Sequence, residues 1–398
     1  MIFVLNDGGV ISPKAKLVVD LFREGGDEVF YIFRKNKLTE TWGSHFVELS
    51  DSTVSAFGSF ALMPIKSPGA LRDGVLRRFF GKKSSRKLLA EGFLSNLGIA
   101  LSYCLTYSTK TDRLVEFLRA SSSPKIFLID EFSGSSIVDL KVLKEMGKIV
   151  YISQDFASDR FGFSDNRISK ALVRKLEDNV IAQADLIIAC SERDQLKYTE
   201  TNAKKVVFYP NIYPLQGVKP VEKAQSPTIC VVLKDYWGSQ ADSALEEILR
   251  AMALLTVKVT VVVIGKKPQK MPKNASLQYY KSIPDKAEFL RIVGKAWVCI
   301  NVGFHLGGSN ERKNDYSMAG CVVLSDRLGA RGDFLPYEYT YVDCHDLTAK
   351  LEQLFRLGRN RLQEMGVENH EYILRFEEGQ KEKLRDSIYS LLPGATDP

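Results

Sequence analysis

With 398 residues, 45% hydrophobic, 26% charged and only 14 prolines, the chain has a globular composition and the length for two or three domains. That composition excludes a disordered or collagen-like polypeptide. The formal charge of +7 is uneven: between Pro64 and Ala90 eight basic residues (Lys66, Arg72, Arg77, Arg78, Lys82, Lys83, Arg86, Lys87) face one acid, Asp73, so this segment holds the whole excess.

The chain opens on an apolar strand, Ile2 to Leu5, with no basic and hydrophobic leader before it, which predicts an intracellular, cytoplasmic protein. Short β-branched runs then alternate with amphipathic helical segments, the pattern of parallel sheets covered by helices. Further strands are predicted at Val29 to Phe33, Phe60 to Met63, Lys125 to Ile129, Ile149 to Ile152, Leu186 to Cys190 and Val206 to Tyr209. The longest uncharged stretch, Gly92 to Thr109, holds six Ser, Thr or Asn and two Gly, too polar to span a bilayer. A second series restarts at Thr228 to Leu233 and runs through Val259 to Ile264, Trp297 to Asn301 and Val322 to Ser325. The last seventy residues read as helical, with helices near 346–357, 359–375 and 377–392 and no further strand.

Between the two series, Tyr209 to Gly217 carries two prolines and a glycine and suits a connector. The predicted class is therefore α/β, with two Rossmann-like, doubly wound parallel-sheet domains facing an interdomain cleft. The predicted boundaries are 1–210, 211–375 and a terminal helix, 376–398, packing back on the first domain. In such sheets ligands bind outside the carboxyl ends of the strands.

After the first strand, Gly8 and Gly9 lead into a helix beginning near Pro13 and let a ligand approach that helix's N-terminus, although a tight structural turn explains them as well. The six cysteines form no Cys-x-x-Cys pair and read as buried free thiols. The four histidines show no metal-ligand spacing, so neither a metal nor a resident cofactor is expected. His305 joins the candidate site because it lies between a strand and a glycine turn, although a structural or solvent-facing histidine fits that place as well.

Glu177, then Ala184-Asp185-Leu186-Ile187-Ile188-Ala189-Cys190-Ser191, then Tyr209-Pro210-Asn211 form a series that resembles a signature of GT-B glycosyltransferases, family 4 in particular. Ala251 to Leu255, Val261 to Gly265, and above all Asn310 to Asp326 resemble further blocks of that family, so the likeness spans nearly the whole chain. It implies transfer of a sugar, with retention, from a nucleotide-diphosphate donor to a glycan or lipid-linked acceptor. Asp315 lies five residues before Gly320, where the family places an acid that binds both ribose hydroxyls. Lys234 takes the place of a cation on the diphosphate, with Arg312 as a substitute for a second cation that falls here on Ser239. Gly308, Ser309 and Asn310 offer backbone N–H groups to the phosphates or sugar, or simply cap the next helix. The chain departs from the pattern at Gly307, where an acid is usual, and at Gln154, where a histidine is usual. Gln154 still positions a sugar, and Asp155 beside it touches acceptor or sugar, or forms a turn.

In the basic segment Leu71, Val75, Leu76, Phe79 and Phe80 recur at helical spacing, which predicts a peripheral membrane element over 66–87 at the inner face of the membrane. A core-packed helix with a solvated basic edge fits the same residues. Nucleic acid is not expected as a partner, because no recognised binding motif accompanies the charge.

Overall fold

The structure, a computed structural model, describes residues 2–6, 13–24, 29–33, 112–120, 123–130, 139–153, 167–201, 205–212, 217–233, 239–303, 311–330 and 335–392. It divides into two units, Met1–Tyr209 with Glu382–Pro398, and Pro210–Lys381. The predicted strand at Phe60 to Met63, the basic segment 66–87 and Cys104 lie outside the described residues.

Unit 1 contains β1 (Ile2–Asn6), α1 (Pro13–Glu24), β2 (Val29–Phe33), α2 (Asp112–Ala120), β3 (Ile126–Asp130), α3 (Leu140–Met146) and β4 (Lys148–Ile152). After these come α4 (Arg167–Gln183), β5 (Leu186–Ala189), α5 (Glu192–Glu200) and β6 (Val206–Phe208). The strands pair in the order β2-β1-β3-β4-β5-β6, all parallel. Strands covered on both faces must be apolar at odd and even positions alike. Accordingly Phe3, Leu5, Phe127, Ile129 and Tyr151 pack on one face with Leu118, Leu143, Val180 and Tyr198 of α2 to α5. Their alternates Ile2, Val4, Ile126, Leu128 and Ile152 pack on the other with Val18 and Phe22 of α1 and with Leu384 and Ile388.

Unit 2 contains β7 (Thr228–Leu233), α6 (Ser239–Leu254), β8 (Val259–Gly265), β9 (Ala275–Tyr280), α7 (Lys286–Gly294), β10 (Val298–Asn301), α8 (Glu311–Met318), β11 (Val322–Asp326), β12 (Glu338–Tyr341) and α9 (Cys344–Tyr389). Its sheet runs β12-β11-β10-β7-β8-β9, again all parallel. The first strand, β7, is central; the chain winds outward through β8 and β9, then returns to β10 on β7's other side. The order therefore reverses between β7 and β10, the position where doubly wound sheets open a crevice.

Two expectations for the C-terminal part are overturned. A further strand exists: β12 pairs with β11 from Val323↔Glu338 to Asp326↔Tyr341. Its four residues, Glu338-Tyr339-Thr340-Tyr341, include a charge and no aliphatic, so pairing with β11 rather than an apolar run makes them a strand. The terminal helices predicted at 359–375 and 377–392 are one, because α9 carries a single non-helical residue, Gly358 (φ 80°, ψ 167°). Through the expected break at 376 the apolar face continues, with Tyr372, Ile373 and Phe376 packing on the β7–β10–β11 core.

Among the described residues no disulfide forms: Cys190, Cys230, Cys299 and Cys321 are buried thiols, and Cys344 is half-buried. No helix among the described residues is long and apolar enough to cross a membrane.

Candidate functional site

The β7–β10 pairing ends at Val231↔Ile300, so the next residue of β7, Val232, enters the switch point beyond the pairing to β10. Both its main-chain groups are taken by α8. The Val232 N–H donates to the Tyr316 hydroxyl at 3.0 Å, and Arg312 Nη1 donates to the Val232 carbonyl at 3.1 Å. Arg312 Nη2 reaches across to the Val302 carbonyl at 2.9 Å. One guanidinium thus bridges the carboxyl ends of both switch strands. Burial pushes the Tyr316 phenol well above its ordinary pKa, so it serves as a neutral hydrogen-bonding group.

Five of the eight residues of α8 are buried: Lys313, Asn314, Tyr316, Ser317 and Met318. Most of them are polar, so partners rather than apolar contact settle the helix. Lys313 Nζ lies 3.2 Å from Glu338 Oε2. The other Glu338 oxygen accepts from Ser325 Oγ at 2.6 Å, and Ser325 Oγ accepts from Asn301 Nδ2 at 3.2 Å. Asn301 also donates to the Gly329 carbonyl at 3.0 Å. Asp326, at the end of β11, accepts from the Gly303 N–H at 2.9 Å and from the Gly329 N–H. Burial lifts the Asp326 and Glu338 carboxyls above the usual carboxylate range, against the pull of backbone N–H groups in the first case and of Lys313 in the second. After α8 the chain turns at Gly320 with φ +74°, a left-handed conformation that glycine adopts without strain.

Among the residues expected at the site, Arg312 and Asp315 are described, and both sit on α8. Asp315 Oδ1 pairs with Lys286 Nζ, at the start of α7, at 2.5 Å, with side-chain exposures of 15% and 36%. Lys286 also lies 5.3 Å from the centre of the Phe289 ring. At the first position of α8, Glu311 accepts from Asn211 Nδ2 at 3.3 Å, and Asn314 donates to the Asn211 carbonyl at 3.1 Å. The Pro210-Asn211 pair singled out in the sequence is therefore tied to the N-terminal turns of α8. Gly8, Gly9, Gln154, Asp155, Lys234, His305, Gly308, Ser309 and Asn310 lie outside the described residues.

In unit 1 a second polar group, of which the sequence marks only Glu177, gathers at the carboxyl end of β4. Lys14 is fully buried, and its Nζ approaches the Ser153 carbonyl at 3.4 Å. Ser153 Oγ and the Tyr198 hydroxyl are 2.6 Å apart, and that hydroxyl donates to Glu177 Oε1 at 3.4 Å. Burial holds the Tyr198 phenol neutral. Glu177, part of the sequence resemblance, is thus a buried partner of α5. Asp185 is likewise structural: it accepts from the Ile149 N–H at 2.9 Å and pairs with Lys144 at 2.5 Å.

No protein-family model matches the chain, and no curated protein matches it in sequence. Solved structures do. The sucrose-phosphate synthase of Thermosynechococcus elongatus is 13% identical, with 99% of each chain covered and a TM-score of 0.59. The Anabaena HepE protein, in complex with UDP, is 10% identical, covering 98% of this chain and all of its own, with a TM-score of 0.57. The α,α-trehalose 6-phosphate synthase of Burkholderia multivorans is 13% identical, covering 100% of this chain and 99% of its own, with a TM-score of 0.55. At such identity the likeness is one of fold, and the fold is that of GT-B glycosyltransferases: two α/β units, each on an all-parallel sheet.

Proposed function

We propose that the chain is a glycosyltransferase that moves a sugar from a nucleoside diphosphate to an acceptor, with the donor held at the carboxyl ends of β7, β10 and β11. The observation that carries this is the switch point of unit 2, where α8 brings a guanidinium, Arg312, and a carboxylate, Asp315, to a doubly wound sheet. In this reading Asp315 accepts from the ribose hydroxyls. Lys234, Arg312 and the backbone around Gly308, Ser309 and Asn310 offset the charge that grows on the diphosphate as the glycosidic bond breaks. Gln154, Asp155 and His305 contact sugar or acceptor, and Gly8 and Gly9 permit close approach. Neither a metal nor a resident cofactor takes part, and the anomeric configuration is retained. The support from outside the chain is a protein of the same fold solved with UDP.

Thermal unfolding with UDP-, GDP- and ADP-sugars tests the reading, because a ligand bound only to the folded state raises the midpoint. One sugar nucleotide should stabilise the protein, and Asp315→Ala should weaken its binding by one to two decades, roughly the 1.5–3 kcal/mol of a charged hydrogen bond. Equal responses of wild type and variant would remove Asp315 from the ribose site.

A second reading is favoured by the departures at Gly307 and Gln154: a non-catalytic subunit that binds nucleotide, glycan or protein. Incubation with the identified donor and mixed acceptors separates the two, since only the transferase releases free nucleoside diphosphate along with a glycosylated product. A change in the free sugar nucleotide without acceptor would indicate an epimerase instead.

For the acceptor we propose a glycan or a lipid-linked saccharide, reached at the inner face of a membrane through the basic segment 66–87. Replacing Lys82, Lys83, Arg86 and Lys87 by glutamine should then abolish co-flotation with anionic vesicles. Unchanged flotation would remove that segment from the membrane contact.

A further inference from the structure

The helix that carries Arg312 and Asp315 is short, largely polar and mostly buried. An apolar helix finds its seat by packing that tolerates small rotations; a buried polar one is held at the angles where its partners are met. Two anchors of α8, Arg312 and Tyr316, lie on the β7 side. Glu311 and Asn314 hold Asn211 at the helix start, Asp315 pairs with Lys286, and a further anchor lies across the sheet. Lys313, 1% exposed, reaches Glu338 of the edge strand β12, itself 8% exposed, and Ser325 of β11 orients the same carboxylate. Burial raises the Glu338 carboxyl despite the ammonium beside it, so desolvation outweighs attraction and the pair is poorly explained as a source of stability.

We propose that Glu338 and Lys313 are positioning residues for the donor site: their buried ion pair, oriented by Ser325, sets the rotation of α8 and thereby where the Asp315 carboxylate stands. Neither residue touches substrate. The pair acts through the helix, and its effect falls on donor affinity rather than on the chemical step. This rests on the donor reading given above.

The test removes the pair as a unit. In Lys313→Met with Glu338→Leu no charge is left buried alone, and such replacements are commonly neutral or stabilising. The double variant should unfold at the wild-type temperature, raise the donor KM about tenfold and change kcat less than about twofold; Lys313→Arg, which keeps the pair, should restore KM to within about threefold. A double variant with wild-type midpoint and wild-type KM overturns the proposal. Should the double variant not fold, Ser325→Ala loosens the carboxylate, leaves Asn301 Nδ2 its bond to the Gly329 carbonyl, and should raise KM about threefold; a wild-type KM there overturns it equally. Hydrogen exchange at the α8 amides separates this idea from the reading beneath it. Faster exchange in the variant at an unchanged midpoint, in a protein that binds no sugar nucleotide, supports the positioning while the donor reading fails. Wild-type protection of α8 in the variant overturns the positioning whatever the ligand.

Discussion

Lys286 meets Asp315 at 2.5 Å while remaining 36% exposed, so water screens the pair and its part in stability is small. What the ammonium does is hold one oxygen of the Asp315 carboxylate in place. Lys286→Met should therefore shift unfolding by less than about 1 kcal/mol and weaken donor binding no more than about fivefold, well short of Asp315→Ala; an effect as large as that of Asp315→Ala would make Lys286 a direct ligand. Asp326 makes a prediction about pH. Because burial raises its folded pKa above the unfolded value, its contribution to stability is full below the ordinary carboxylate pKa. That contribution fades as pH rises through the folded value. Asp326→Asn keeps an acceptor for the Gly303 and Gly329 N–H groups, so the variant should gain on wild type as pH climbs from 4 toward neutral. Urea unfolding across that range checks it, and a constant gap would show that Asp326 does not titrate differently on folding. Asp315 could be singled out in the sequence because its distance from Gly320 is short-range information. Glu338, Asn301 and Lys14 were not, since each acquires its meaning from a partner 24 to 139 residues away.

The same division between local and long-range information governs the elements. Strands such as β7 and β8 were readable because six or seven consecutive residues are apolar or β-branched, as full burial on both faces demands. β9 and β12 were not, because edge strands are half-covered and can carry Gln278, Glu338 and Thr340. In α9 the break at Gly358 matches a boundary placed between 357 and 359, whereas the boundary near 376 fails because Gly379 stays within the helix and the apolar face runs on through Ile373 and Phe376. The Gly358 dihedrals lie where residues with a Cβ are scarcely found, and open space surrounds the position. Gly358→Ala therefore suffers from backbone strain alone and should cost about 1–3 kcal/mol in urea unfolding. Beyond the kink, Asn369 donates to the Cys321 and Tyr337 carbonyls and accepts from the Tyr337 N–H, docking α9 on β11 and the approach to β12. An unchanged stability of Gly358→Ala would mean that α9 runs straight and that this docking tolerates a shift.

At the scale of the whole chain, the helix that closes unit 2 also completes unit 1. Leu384 and Ile388, at 0% and 1% exposure, join the core formed by Ile2, Val4 and α1, and the Tyr389 ring lies 6.2 Å from that of Phe22. Lys205 Nζ donates to Ser390 Oγ at 3.0 Å at the margin of the same contact. Each fully buried Leu or Ile is worth about 1.5–3 kcal/mol, so losing both removes about 3–6 kcal/mol. That is a large part of the roughly 5–15 kcal/mol that holds a domain folded. A chain ending at Lys381 should therefore show a selectively lowered transition for unit 1 in calorimetry, with early proteolytic cleavage before residue 210, while the transition of unit 2 stays near its original temperature. If unit 2 holds the proposed donor site, sugar-nucleotide binding should survive the truncation even where transfer does not. If both transitions instead remain at their original temperatures, residues 382–392 contribute nothing to the core of unit 1, and the two units divide at the connector alone.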